Sequence, residues 1–150
     1  KKLKKALWRA VALKQPNYDR PIIVTVDQVV GIGWVINQTD LDGSRYPIQF
    51  GAKLHNERKC GYAQVKRELR GVVSAIKSDR DHSIGAEVVI KTDCLPIVRM
   101  MRCCTVPDVA ILRWIAYVRS FNPKVRHISG KDNIVAYMLS RAQFKDDVAE

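Results

Sequence analysis

The chain has 150 residues, enough for one domain with a buried core. Apolar residues make up 47% of it, the ordinary share of a globular protein, which sets aside a disordered or fibrous chain. Lys plus Arg is 26 against 15 Asp plus Glu, so the net charge is +11 at pH 7. That excess favours a polyanionic partner, nucleic acid or an anionic membrane surface, although a solvated basic surface also aids solubility.

Cys60, Cys94, Cys103 and Cys104 form no Cys-x-x-Cys pair. Neither a zinc site nor a disulfide framework is indicated, and reduced thiols in an intracellular setting, cytoplasmic or nuclear, fit better. The longest apolar stretch, Val29 to Ile36, is too short to span a bilayer, so no membrane partner is expected. Lys1 to Lys5 lacks the features of a signal peptide and reads like the start of a fragment from a longer chain.

In chain order, residues 1–14 predict a basic amphipathic helix with Leu3, Leu7, Ala10 and Val11 on one face. After a loop with Pro16 and Pro21, PIIVTVD is an almost continuous apolar run that suits a strand buried on both faces. GIGWVINQ is its neighbour, TDLDGS a turn, and RYPIQFGA a third strand. Residues 62–80 form the clearest helix, with Val65, Leu69, Val72, Val73 and Ile76 in one stripe. AEVVIKTD is a fourth strand, Pro96 to Met101 a short helix, and Asp108 the N-cap of a helix that contains Trp114 and ends ahead of Phe121. KVRHIS is a fifth strand, GKDN a turn, and residues 133–142 the last helix. This order predicts an α/β fold, a mixed sheet of three antiparallel and then two parallel strands flanked by helices.

The chemistry rests on three acids. Asp27 and Asp93 each close an apolar strand. If those strands are adjacent and parallel, both carboxylates emerge at one sheet edge, where α/β sheets place their ligands. An Asp after a strand also serves as a simple turn residue. Glu68 lies three residues after Val65 and four before Val72, so it points with the apolar stripe. Burying a carboxylate is costly unless it is paired with a cation, whether a basic side chain or a metal ion. Three converging carboxylates repel one another, and divalent cations relieve that repulsion. Two such ions about 4 Å apart serve phosphodiester hydrolysis.

IIVTVD, GIGWVINQ, YPIQFGAKLHNER, YAQVKREL, VVIKTDCLPI, LRWIAYV and HISGKDNIVAYMLSR span nearly all of residues 1–142. In number, order and spacing they resemble the ribonuclease H domain of Ty3/gypsy-type LTR retrotransposon polyproteins. The resemblance implies a ribonuclease H-like fold over 21–142, a connecting helix and linker from a reverse transcriptase over 1–20, and a tail over 143–150. It implies hydrolysis of the RNA strand of RNA–DNA hybrids with Mg²⁺, or Mn²⁺, held by Asp27, Glu68 and Asp93. Its partners would be the hybrid and the reverse transcriptase domain of the same polyprotein.

The family's fourth acid stands in an Ala-Asp-x-Leu-Ser-Arg segment. This chain has Ala136-Tyr137-Met138-Leu139-Ser140-Arg141, with Tyr137 in the acid's place. After Asp27 the family has small residues, and this chain has Gln28-Val29-Val30. In the family the first and fourth acids hold the metal that activates the attacking water, so impaired activity is expected. The alternative is a catalytically inactive domain that binds nucleic acid or, like a connection domain, supports a polymerase. Arg99, Arg102 and Lys131 are the candidate phosphate contacts. Asp132 reads as a turn residue or helix cap, His127 as a structural histidine within a strand, and Trp114 and Phe121 as core. His55 and His82 have no metal-ligand spacing.

Overall fold

The structure is a computed structural model that describes residues 13–28, 31–54, 64–102 and 108–140. Of the helix expected over 1–14, residues 1–12 lie outside the described residues, and Leu13 and Lys14 are not helical. The strands are β1 (Ile22–Gln28), β2 (Gly31–Thr39), β3 (Arg45–Leu54), β4 (Val88–Thr92) and β5 (Lys124–His127). The helices are α1 (Gln64–Ser78), α2 (Arg80–Ser83), α3 (Leu95–Met100), α4 (Val109–Arg119) and α5 (Ile134–Ser140), with a 3₁₀ turn over Gly130–Asp132. Strand order is β3-β2-β1-β4-β5. β1 and β2 pair antiparallel, as do β2 and β3; β4 runs parallel to both β1 and β5. The mixed sheet read from the sequence is the one observed.

β1 takes its place at the centre because its β-branched run can be buried on both faces. Ile22, Val24 and Val26 enter the main core with Val72, Val73 and Ile76 of α1. Ile23 and Thr25, on the other face, are each only 8% exposed. α5 packs against β1 and β2, with Ala136 buried. A second cluster joins Leu69, Cys94, Ile97 and Ile115, tying α1 to α3 and α4. Trp114 and Phe121 pack against the core as expected, both half-buried.

Several boundaries differ from the sequence reading. α1 stops at Ser78, because Asp79 is buried and its carboxylate accepts from the Ser83 hydroxyl at 3.2 Å and meets His82 Nδ1 at 2.7 Å, which turns the chain into α2. β1 runs one residue past Asp27, since the ladder with β2 continues through Gln28 opposite Ile32. β5 ends at His127 rather than Ser129, and the Ser129 hydroxyl instead accepts from the Lys131 amide at the start of the 3₁₀ turn. α3 begins one residue earlier than expected, at Leu95, with Pro96 in its first turn. Asp108 is the N-cap expected, its carboxylate accepting from the Ala110 and Ile111 amides at 2.8 and 3.3 Å.

The segment before β1 is stitched to the sheet through Gln38, which is fully buried. Its Nε2 donates to the carbonyls of Asn17 and Arg20 at 2.8 and 3.0 Å, and its Oε1 accepts from the Asn17 amide at 2.8 Å. The Lys14 amide donates to the Pro47 carbonyl at 3.1 Å.

Trp34 lies across the neighbouring strand, and a Cβ at its pairing partner Gly51 would collide with the indole. Gly51→Ala is therefore expected to lower stability by about 1–3 kcal/mol, the range for overpacking a tight contact. Chemical denaturation of the two proteins, compared at equal slope, checks it.

Candidate metal centre

Strand register brings the acids together. Thr25 stands opposite Lys91 across the parallel pair, so two residues further on Asp27 and Asp93 are level with each other. Glu68 comes from α1, which lies over β1. One carboxylate oxygen from each of Asp27, Glu68 and Asp93 lies within 4.8 Å of the others. Asp27 is 6% and Glu68 2% exposed, while Asp93 is partly open to solvent. The three acids named from the sequence form the one such cluster among the described residues.

Glu68 Oε2 is buried and has no hydrogen-bond partner among the described residues. Burial pushes the Glu68 carboxyl up to about 8, the carboxylates of Asp93 and Asp27 add to the rise, and the Arg67 guanidinium opposes it. Asp93 is raised too, by burial first and then by Asp27, against a backbone hydrogen bond and the His127 imidazole. An all-oxygen set of three carboxylates, one with an orphaned buried oxygen, fits a hard divalent cation.

Surrounding residues complete the site. The Asn133 side chain, 2% exposed, donates from Nδ2 to the Val26 carbonyl at 2.8 Å, immediately before Asp27. It ties the start of α5 to the strand that carries the first acid. Position 137 follows one helical turn later on α5, and the side chain of Tyr137 lies outside the described residues, as do Val29 and Val30. His127 is the last residue of β5, within a strand as expected. It is exposed, and its Nε2 sits 3.1 Å from the Asp93 carbonyl, because parallel pairing sets Thr92 opposite His127. The 3₁₀ turn also abuts the acids, for a Cβ at Gly130 would lie 3.3 Å from Asp93 Oδ2. Asp132 is exposed in that turn and does not join the cluster, as its turn reading implied.

The three basic candidates separate. Lys131 is exposed in the turn beside Asp93, and Arg99 is exposed in the last turn of α3. Arg102 lies past the end of α3 and lines a different groove. His127 and Asn133 were not singled out as site residues in the sequence. Their positions follow from the β4–β5 register and from the packing of α5, and only the Asn-x-x-x-Tyr spacing, one helical turn, hinted at the second.

Residues 1–90 match the model of the RNase H-like domain found in reverse transcriptase. The chain therefore belongs to that family. It is 27% identical over 147 residues to the retrovirus-related Pol polyprotein of Drosophila melanogaster transposon 297, covering 97% of this chain and 13% of that protein. To the corresponding polyprotein of the gypsy transposon of the same fly it is 32% identical over 133 residues, 87% of this chain and 12% of that one. The chain thus spans a small part of the curated relatives it matches. Among solved structures it superposes on an RNase H1 isolated from compost with a TM-score of 0.59 at 19% identity, covering 79% and 91% of the two chains. A foamy viral protease–reverse transcriptase in complex with an RNA/DNA hybrid gives a TM-score of 0.65 at 13% identity, covering 86% of this chain and 18% of that one.

The pH dependence has a definite sign. Glu68 has a folded pKa of about 8 against an ordinary value of 4.5, so between those limits the folded chain keeps a proton that the unfolded chain has released. Without metal, stability falls as pH rises through that window, and Glu68→Gln is expected to flatten the fall. Thermal unfolding of both proteins across the window, in chelator, reads the difference.

Proposed function

We propose that this chain is the ribonuclease H domain of a retroelement reverse transcriptase, built for metal-dependent hydrolysis of the RNA strand of an RNA–DNA hybrid. The observation that carries the reading is the buried three-carboxylate cluster at the carboxyl ends of two parallel strands. Residues 1–20 join the reverse transcriptase to a domain over 21–142, and 143–150 form a tail. Among the described residues no helix is long and apolar enough to cross a membrane. An intracellular setting, cytoplasmic or nuclear, suits such a domain.

Asp27, Glu68 and Asp93 are the metal-holding and catalytic residues in this proposal, with Mg²⁺ as the ion and Mn²⁺ as its substitute. The bound ion supplies charge neutralisation and polarises a phosphodiester oxygen. Asp27 and Asp93 hold their carboxylates at the strand ends, and Glu68, once deprotonated, would be the third carboxylate to hold the cation. Lys131 and Arg99 approach the backbone phosphates from either side of Asp93, and Arg102 meets the backbone beyond the end of α3. The hybrid is recognised through its backbone more than its sequence.

Tyr137 lowers the activity in this account. An unperturbed phenol has a pKa of ~10 and stays neutral near pH 7, so it brings no charge to the position of a fourth acid. That substitution also supports a second reading, an inactive domain that binds nucleic acid or supports the polymerase.

Cleavage of a labelled RNA–DNA hybrid with Mg²⁺ or Mn²⁺ tests the proposal. Weak cleavage by the parent is expected, lost in Asp27→Asn and Glu68→Gln and raised about 100-fold or more in Tyr137→Asp. If correctly folded Tyr137→Asp gains nothing, the account of Tyr137 fails. If neither parent nor Tyr137→Asp cleaves, the inactive reading replaces the enzyme.

A further inference from the structure

α3 and α4 both end beside the start of β5, and there the surface opens into a groove of about 630 Å³. Its walls include the buried Val98 and the half-buried Val125, and it carries Arg102, Arg119, Lys124 and Arg126. Among the described residues no carboxylate lines it.

The four cations are differently engaged. Arg119 Nη2 donates to the Met101 carbonyl at 2.8 Å, which holds that guanidinium against the wall between α3 and α4. Lys124 pairs with Glu87, with both side chains exposed. Arg102 and Arg126 are exposed, and neither has an ion-pair partner among the described residues. Arg126 stands opposite Lys91 on the next strand. The Lys91 ammonium is held below its usual range, by burial first and then by repulsion from Arg45 and Arg126, so positive charge extends from the groove onto the sheet.

The groove lies apart from the acids. β5 is the outermost strand, and Lys124 is level with Val89, four residues short of Asp93. At ~3.3 Å per residue that is about 13 Å down the sheet. Val125 turns towards the core, so Lys124 and Arg126 project from the opposite side of this edge strand and stand at the groove's rim, about 6.6 Å apart, comparable to successive phosphates along an extended strand.

We infer that this groove at the β5 edge binds the phosphodiester backbone of a nucleic-acid strand, at a surface separate from the acid cluster. Arginine suits that ligand, because its planar fork offers two parallel donors to phosphate oxygens and it sheds water more readily than an ammonium. The net charge of +11 favours a polyanion over a neutral or mixed partner. Basic residues on an edge strand also deter edge-to-edge pairing, and that role needs no ligand.

The test compares two triple variants of the full chain. One is Arg102→Gln, Lys124→Gln and Arg126→Gln in the groove. The other is Lys53→Gln, Arg80→Gln and Arg113→Gln, three exposed cations elsewhere with the same loss of charge. Binding of fluorescent single-stranded DNA and of an RNA–DNA hybrid is measured across a salt series, with thermal unfolding as the check on folding. The groove variant is expected to bind at least about 10-fold more weakly and to lower the salt slope by roughly 2, and the control variant to change each far less. Equal weakening in both would mean diffuse charge alone and would overturn the groove. So would unchanged binding in the groove variant, or displacement of the nucleic acid by poly-glutamate at matched charge, which would indicate an acidic protein partner. Glu68→Gln is expected to leave this binding intact, so failure of the cleavage reading and failure of the groove register separately.

Discussion

Two carboxylates stand side by side because β1 and β4 run parallel with Thr25 opposite Lys91. A shift of one residue in that register would separate Asp27 from Asp93 and turn one strand's side chains to the other face. The register is held by burial on both sides of the sheet. On one face Val24 and Ile90, paired across it, are almost wholly excluded from water, as are Ile22 and Val88, and on the other face the pair Ile23 and Val89 is buried too. The apolar core therefore acts as the jig that sets the polar site.

Glu68 shows the opposing pressure. The helix that carries it is among the best-packed elements, with Leu69 and Val72 next to it on the buried stripe. That packing drags a carboxylate out of water towards two others. The neutral form avoids most of the penalty, and for that reason its proton is held so tightly. A divalent cation held by the three carboxylates would have to displace this proton. Metal affinity and acidity are thus the same property seen from two sides.

Much of the fold was legible because it depends on local pattern. The alternating and continuous apolar runs of β1 to β4, the stripe of α1 and the Asp108 cap each announce themselves over a few residues. The three acids were legible because each breaks such a pattern at its end or on its buried face. What escaped depends on long-range register. His127 reaches Asp93 only through β4–β5 pairing, and Asn133 reaches Val26 across 107 residues of chain. The early stop of α1 escaped as well, because Asp79 looks like any exposed acid until its burial with Ser83 and His82 is seen. The basic residues were the least legible. Charge alone does not say which way a side chain faces, and Arg102 turned out to belong with β5.

Gln38 has a consequence for how such a domain is carried within a longer polypeptide. Its amide makes three hydrogen bonds to the backbone between Asn17 and Arg20, although that stretch precedes the first strand. A wholly buried side chain of β2 thus holds the last residues of the connecting segment against the sheet. The chain upstream is therefore launched from a fixed point near the β2–β3 side of the sheet. Residues 17–20 thereby hold a defined bearing relative to the acids, as a wrist sets the direction of a hand.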